Sequence, residues 1–202
     1  MRFDDDALAP AVHALRVTTD QPREALAEMH YAVTGRGAYA VLEEGDRVAT
    51  GLAAEQAIGT VADRIRRRVL DHLSLGGWTA ARAGIARVDR GRVLVLGDDD
   101  RAFTSRLRRE GHEVEGDDLV FFRGEEVVSL PQPSSSDVQL GRPTAVVVVR
   151  HGSGDPTCTP VASGEVVEAL LAATVPSWAP PGRVLRACVD LAGNVDGYRV
   201  ER

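Results

Sequence analysis

The run Ala145-Val146-Val147-Val148-Val149 constrains this chain more than any other feature of its sequence. Five consecutive apolar residues without polar alternation need cover on both faces, the environment of a buried strand in an α/β sheet. A second strand, Arg92 to Leu96, ends at Gly97, and a helical pattern follows from about Arg101 to Glu110 and stops at Gly111. Glycine just past the last helical residue is the usual way to end a helix. Two buried strands, one of them feeding directly into a helix, make the chain α/β.

The remaining elements fit that class. Alternating stretches at Val12 to Val17, Ala38 to Leu42 and Arg47 to Leu52 read as strands, with Glu44-Gly45-Asp46 as a hairpin turn. A helix is expected over Ala54 to Leu73, because Ile58, Val61, Ile65, Val69 and Leu73 recur every three or four residues. Arg64 and Arg66 to Arg68 then occupy its solvated circumference. Gly76-Gly77 end it. Trp78 to Val88 reads as one strand, turning at Asp89 to Gly91. Shorter strands are expected at His112 to Glu115, Leu119 to Phe122 and Glu126 to Leu130. The polar segment Pro131 to Gly141 is a loop. Helices close the chain at Gly164 to Ala173 and at Pro181 to Ala192, the second with proline at its start and Gly193 beyond its end. Tyr198 to Val200 is a candidate last strand. A single domain over residues 1–202 is expected, with a β-rich part at 1–52 and the α/β core at 53–202.

Composition narrows the function classes. At 202 residues the chain can remove roughly 70% of its unfolded surface from water. Net charge is −6 and the 24 basic residues are all arginine, so nucleic acid is not the expected partner. The arginine, alanine, valine and glycine richness points to a high-GC, bacterial source. The first ten residues carry neither a basic nor a long apolar stretch, and no apolar run approaches the ~18 residues a membrane span needs. The expected location is cytoplasmic, with no membrane partner. Cys158 and Cys188 have no CxxC or Cys/His spacing and are expected to be reduced, buried thiols.

The segment RVLVLGDDDRAFTSRL, residues 92–107, has the layout of a phosphate-binding loop: strand, glycine, connection, and a helix carrying Thr-Ser. Such a loop holds phosphate with converging backbone N–H groups, a helix N-terminus and a lysine. Aligned to G-x-x-x-x-G-K-[ST], Gly97 takes the first glycine and Thr104 the hydroxyl. Ala102 replaces the second glycine and Phe103 the lysine. Asp98, Asp99 and Asp100 fill the loop whose job is to surround a polyanion. Two unit charges ~5 Å apart at an effective dielectric of ~20 repel by roughly 3 kcal/mol. Arg101 and Arg82 offset part of that, but the balance runs against ATP.

With those residues in view, the stretch from Asp71 to Pro131 resembles the HPr serine kinase/phosphorylase (HprK-like) P-loop superfamily. It looks like the small bacterial, actinobacterial-type members with a degenerate Walker A loop. The family order of helix, His-Ala strand, hairpin, P-loop, Asp-Asp strand, hairpin and Leu-Pro is matched here by Arg82-Ala83-Gly84, Asp89 to Gly91, Gly97, Gly116-Asp117-Asp118 and Leu130-Pro131. The closing helices and Tyr198-Arg199-Val200 extend the likeness to about residues 55–200. It implies an HPr-kinase/PEP-carboxykinase-like P-loop sheet with flanking helices, extended by the N-terminal strands. It also implies Asp117 and Asp118 as the catalytic, Mg²⁺-holding carboxylates, with Thr104, and Ser105 beside it, supplying a metal-ligating hydroxyl. Gly97, Arg101, Ala102, Phe103, Thr104, Ser105 and Arg82 would surround the nucleotide. Two departures stand out: the family lysine is Phe103 and the family histidine is Arg82.

The expected function is therefore that of a non-catalytic or atypical HPr-kinase-like protein, without a cofactor. It would act as a binding or regulatory partner of a protein or peptide, as small relatives do beside peptide-modifying or other biosynthetic enzymes. A homo-oligomer is compatible with this. One alternative is an active serine kinase using ATP and Mg²⁺, with Asp117 or Asp118 as base and Arg82 or Arg101 in place of the lysine. Another is a site for Mg²⁺ or Ca²⁺ alone, built from Asp98 to Asp100 with Asp117 and Asp118. Arg150-His151-Gly152 is similar to the motif of the histidine phosphatases, but no second histidine follows it, so it reads as a strand end. His13, His30, His72 and His112 show no ligand spacing. Ser153, in Gly-Ser-Gly, lacks a strand-to-helix context, and Ser134 to Ser136 read as linker.

Overall fold

A computed structural model describes residues 2–3, 30–89, 91–97, 100–116, 118–129, 140–151, 157–177 and 179–201. The expected strand at Val12 to Val17, the loop 131–139, Ser134 to Ser136 and Ser153 lie outside them. The chain forms two compact units, Met1–Val69 and Leu70–Arg202, and the division falls inside the helix Ala54–Leu75.

In the first unit, β1 (Arg2–Phe3), β2 (Tyr31–Arg36), β3 (Ala38–Glu43) and β4 (Asp46–Leu52) form a sheet in that order. These strands do not extend the large sheet of the second unit, as expected from sequence, but form a sheet of their own. β1 runs parallel to β2, and the rest is an antiparallel meander. The turn between β3 and β4 sets Glu44 at φ 52° and Gly45 at φ 90°, the two left-handed residues of a tight hairpin. Helix α1 (Ala54–Leu75) is two residues longer than its periodicity indicates. Tyr31, Val33, Tyr39 and Val41 make a core with Ala57 and Val61, and Ile58 and Ile65 pack against it. The period-two pattern of the strands meets the period-3.6 stripe of the helix. α1 ends where Trp78 N–H reaches Leu73 O (2.9 Å) and Gly77 N–H reaches Ser74 O (3.1 Å), with Gly77 at φ 85°. This is the Schellman closure that glycine favours.

The second unit contains β5 (Thr79–Ala81), β6 (Gly84–Val88), β7 (Gly91–Gly97), helix α2 (Asp100–Arg109), β8 (Glu113–Gly116), β9 (Val120–Arg123), β10 (Glu126–Ser129), β11 (Ala145–Arg150), β12 (Thr157–Val161), α3 (Ser163–Ala173), α4 (Pro181–Ala192) and β13 (Asp196–Glu201). Six strands make a mixed sheet in the order β12-β13-β11-β7-β6-β8, parallel at β13-β11-β7 and antiparallel elsewhere. β10-β9-β5 form a smaller antiparallel sheet. The expected single strand from Trp78 to Val88 is broken: the Arg82 N–H bonds Ala173 O at 2.8 Å, and its two halves join different sheets.

Alternate residues of β7 sort to opposite faces of the large sheet. Leu94 and Leu96 pack with Val146, Val148, Val166, Leu170, Cys188 and Leu191 under α3 and α4. On the opposite face Thr104 of α2 sits against Gly84, whose ideal Cβ would lie 2.5 Å from its methyl. The mixed sheet therefore has helices on both faces, which makes the unit mixed α/β.

Buried charge ties the layers together. Arg92, almost fully buried, grips Glu115 through Nε (2.9 Å) and Nη2, and its Nη1 donates to Val127 O at 2.9 Å. Arg87 closes on the same carboxylate at 2.9 Å, which raises its own pKa. In the first unit Arg64 and Arg68 reach back to buried Glu43 at 2.6 and 2.9 Å, and Tyr31 OH donates to it at 3.1 Å. The arginine run on α1 is thus only partly a solvated face, because two members one turn apart neutralise a carboxylate on β3. Cys158 also departs from expectation: it is exposed on β12, whereas Cys188 is buried.

Candidate functional site

The parallel strands β7 and β11 carry the chain in opposite directions around the sheet. From β7 it crosses one face through α2, and from β11 it returns by α3 and α4 on the other. The carboxyl ends of two such strands are where open α/β sheets place ligands. Gly97 and Val149 are register partners there; Arg150 ends β11 and His151 follows it.

Gly97 is required by packing alone. It adopts φ 120°, and a Cβ would collide with the carbonyl oxygen of Val149. Only glycine tolerates that conformation and approach. Its presence is explained by the β7–β11 contact without any phosphate.

The connection that follows is short. α2 begins at Asp100, so Arg101, Ala102 and Phe103 already lie in helix, four to six residues after Gly97. The Asp100 carboxylate accepts from the Arg101 N–H at 2.6 Å. Ala102 and Ser105 are exposed on α2. Thr104 is fully buried, and its hydroxyl donates back to the helix carbonyls of Asp100 (2.9 Å) and Arg101 (3.1 Å). This back-bonding is an ordinary fate for helical threonine. Phe103, in the position of the missing lysine, lines a groove of about 200 Å³ with Leu107, Val200, Cys158 and the Arg106–Glu110 ion pair.

Of the residues singled out in sequence, the structure brings Arg101 and Asp118 together. Arg101 Nη2 lies 2.6 Å from Asp118 Oδ1, with the arginine side chain 72% and the aspartate 36% exposed. Arg82 is exposed between β5 and β6. Asp98, Asp99 and Asp117 lie outside the described residues, among which no group of three or more His, Cys, Asp or Glu could hold a metal ion. Sequence reasoning missed Glu165, which opens α3 and pairs with Arg199 at 3.0 Å and Arg150 at 3.9 Å. Their separation in sequence leaves no local signal for this meeting.

Fold and site together define a mixed α/β protein in which a strand ending at Gly97 and a helix starting at Asp100 meet at the carboxyl edge of its parallel strands. No protein-family model matches the chain, and no curated protein matches it. Among solved structures it is similar to the Hpr(Ser) kinase/phosphatase from Coxiella burnetii, at 16% identity and a TM-score of 0.31, over 57% of this chain and 88% of that one. A likeness of that degree carries no argument about function. No helix among the described residues is long and apolar enough to cross a membrane.

Proposed function

We propose that this chain is a non-catalytic HPr-kinase-like protein that acts as a binding or regulatory partner of a protein or peptide. The observation that carries this reading is the Arg101–Asp118 ion pair. In the kinase alternative, Arg101 has to reach phosphate oxygens and Asp118 has to hold Mg²⁺ or take a proton. Paired at 2.6 Å, each occupies the other's charge.

Two further features support the same reading. The Thr104 hydroxyl is buried and turned to its own helix, and Phe103 presents an aromatic ring where a phosphate needs a cation. With no lysine in the chain, the strongest point charge of a phosphate loop is missing. Acidic groups at residues 98–100 favour a basic partner segment over a nucleotide.

The test is phosphotransfer by the intact protein to serine-containing peptides, with ATP, GTP or pyrophosphate as donor. The expected result is no transfer above background from any donor. Transfer by the wild type that Asp118→Ala abolishes would establish the kinase instead.

A further inference from the structure

We propose that the outward face of α4 pairs with the same face of a second copy across a twofold axis. This goes beyond the nucleotide question and does not depend on it. The inner face of α4 is spent on the core, where Ala187, Cys188, Leu191 and Ala192 are buried. One turn apart on the exposed side stand Leu185, 48% exposed, and Val189, 49% exposed. Large apolar side chains left half in water at i and i+4 form a stripe of the kind that mediates contact.

The charges beside the stripe commit it to one partner. Arg186 and Asp190 also stand at i and i+4. Among the described residues neither side chain has an ion-pair partner, although their spacing would allow one within the helix. Laid antiparallel on its own copy with the axis near residues 187–188, the helix sets Leu185 against the second copy's Val189 and Arg186 against its Asp190. Each contact occurs twice, as an isologous interface requires. Gly182 and Gly193 then meet at the two ends, where an absent side chain lets the backbones approach. A parallel arrangement would carry Arg186 and Asp190 of each copy onto the apolar Leu185–Val189 flank of the other, so charge fixes the antiparallel one.

One helix pair is small beside the ~1,600 Å² of a standard stable interface. The dimer is accordingly weak and concentration-dependent. Sedimentation equilibrium of the full chain, from micromolar to millimolar, tests this. The expected weight-average mass rises from 21.6 kDa toward twice that value. Leu185→Glu is expected to hold it at the monomer, as is Arg186→Asp. The double change Arg186→Asp with Asp190→Arg is expected to restore association, which a merely misfolded variant would not do. A wild type that stays monomeric throughout overturns the proposal. So does a dimer indifferent to Leu185→Glu, or a charge reversal that fails to restore it.

Discussion

Arg101 on the first turn of α2 and Asp118, between β8 and β9, are joined by a 2.6 Å ion pair. The positions that the sequence motif marks for phosphate and for metal are in this way engaged with each other. Both side chains are substantially exposed, so the pair contributes at most about 1 kcal/mol. Its consequence is chemical occupancy rather than stability.

Thr104 should behave as a packing residue. Thr104→Val keeps the methyl contact with Gly84 and loses only a back-bond to its own helix, so a change within about 1 kcal/mol is expected. Gly84→Ala should cost about 1–3 kcal/mol, because its new methyl meets Thr104. Urea denaturation of both variants measures the contrast.

Glu43 should make the first unit sensitive to acid. Its hydrogen bond from Arg68, with further ones from Tyr31 and Arg64, holds its carboxyl below the ordinary carboxylate range despite burial. A depressed folded-state pKa contributes stability that is present above the unfolded value and is lost as pH falls through the folded one. Glu43→Gln should therefore cost about 1–3 kcal/mol at pH 7. The deficit should shrink below pH ~4, as the wild-type carboxyl protonates. Denaturation midpoints of both proteins from pH 7 to pH 3 give the comparison.

Glu115 should be the costliest charge to remove. Glu115→Ala leaves Arg92 buried without its counter-ion and releases Arg87. Breaking a buried pair from one side typically costs about 3–5 kcal/mol. Arg87→Ala, at a half-exposed position, should cost far less. Thermal melts in parallel distinguish the two.

The thiols should differ in reactivity. Cys158 is exposed on β12, while burial on the inner face of α4 raises the Cys188 thiol pKa and depletes its thiolate. A thiol reagent should titrate one cysteine promptly in the native protein and the second only after denaturation. Equal rates for both would contradict the packing of α4.

How far the sequence carries can be judged from individual elements. β11 and both closing helices were legible, because a continuous apolar run and Pro/Gly punctuation are local signals. β2 and β12 were not. Gly35 and Gly37 break up the first, and Pro160 and two exposed threonines make the second read as loop, although it is an edge strand paired to β13. Proline is tolerated at a sheet edge for this reason. The break at Arg82 was hidden inside a run rich in small and apolar residues, since there the Arg82 N–H donates to the carbonyl of Ala173, on a helix about ninety residues away. At the candidate site, the spacing set Gly97, Arg101 and Thr104 around one strand-to-helix step; Gly97 ends β7, and Arg101 and Thr104 lie in α2. It could not show that Gly97 is demanded by Val149, or that the Thr104 hydroxyl turns back on α2, because both depend on three-dimensional neighbours.

The measurement that bears most directly on the central claim is calorimetric titration of the intact protein with ATP and Mg²⁺, repeated with GTP and with Mg²⁺ alone. The account predicts no saturable heat at micromolar nucleotide, for the wild type and for Arg101→Ala alike. Saturable, Mg²⁺-dependent ATP binding that Arg101→Ala weakens would contradict it, and would mean that Arg101 leaves Asp118 to hold phosphate.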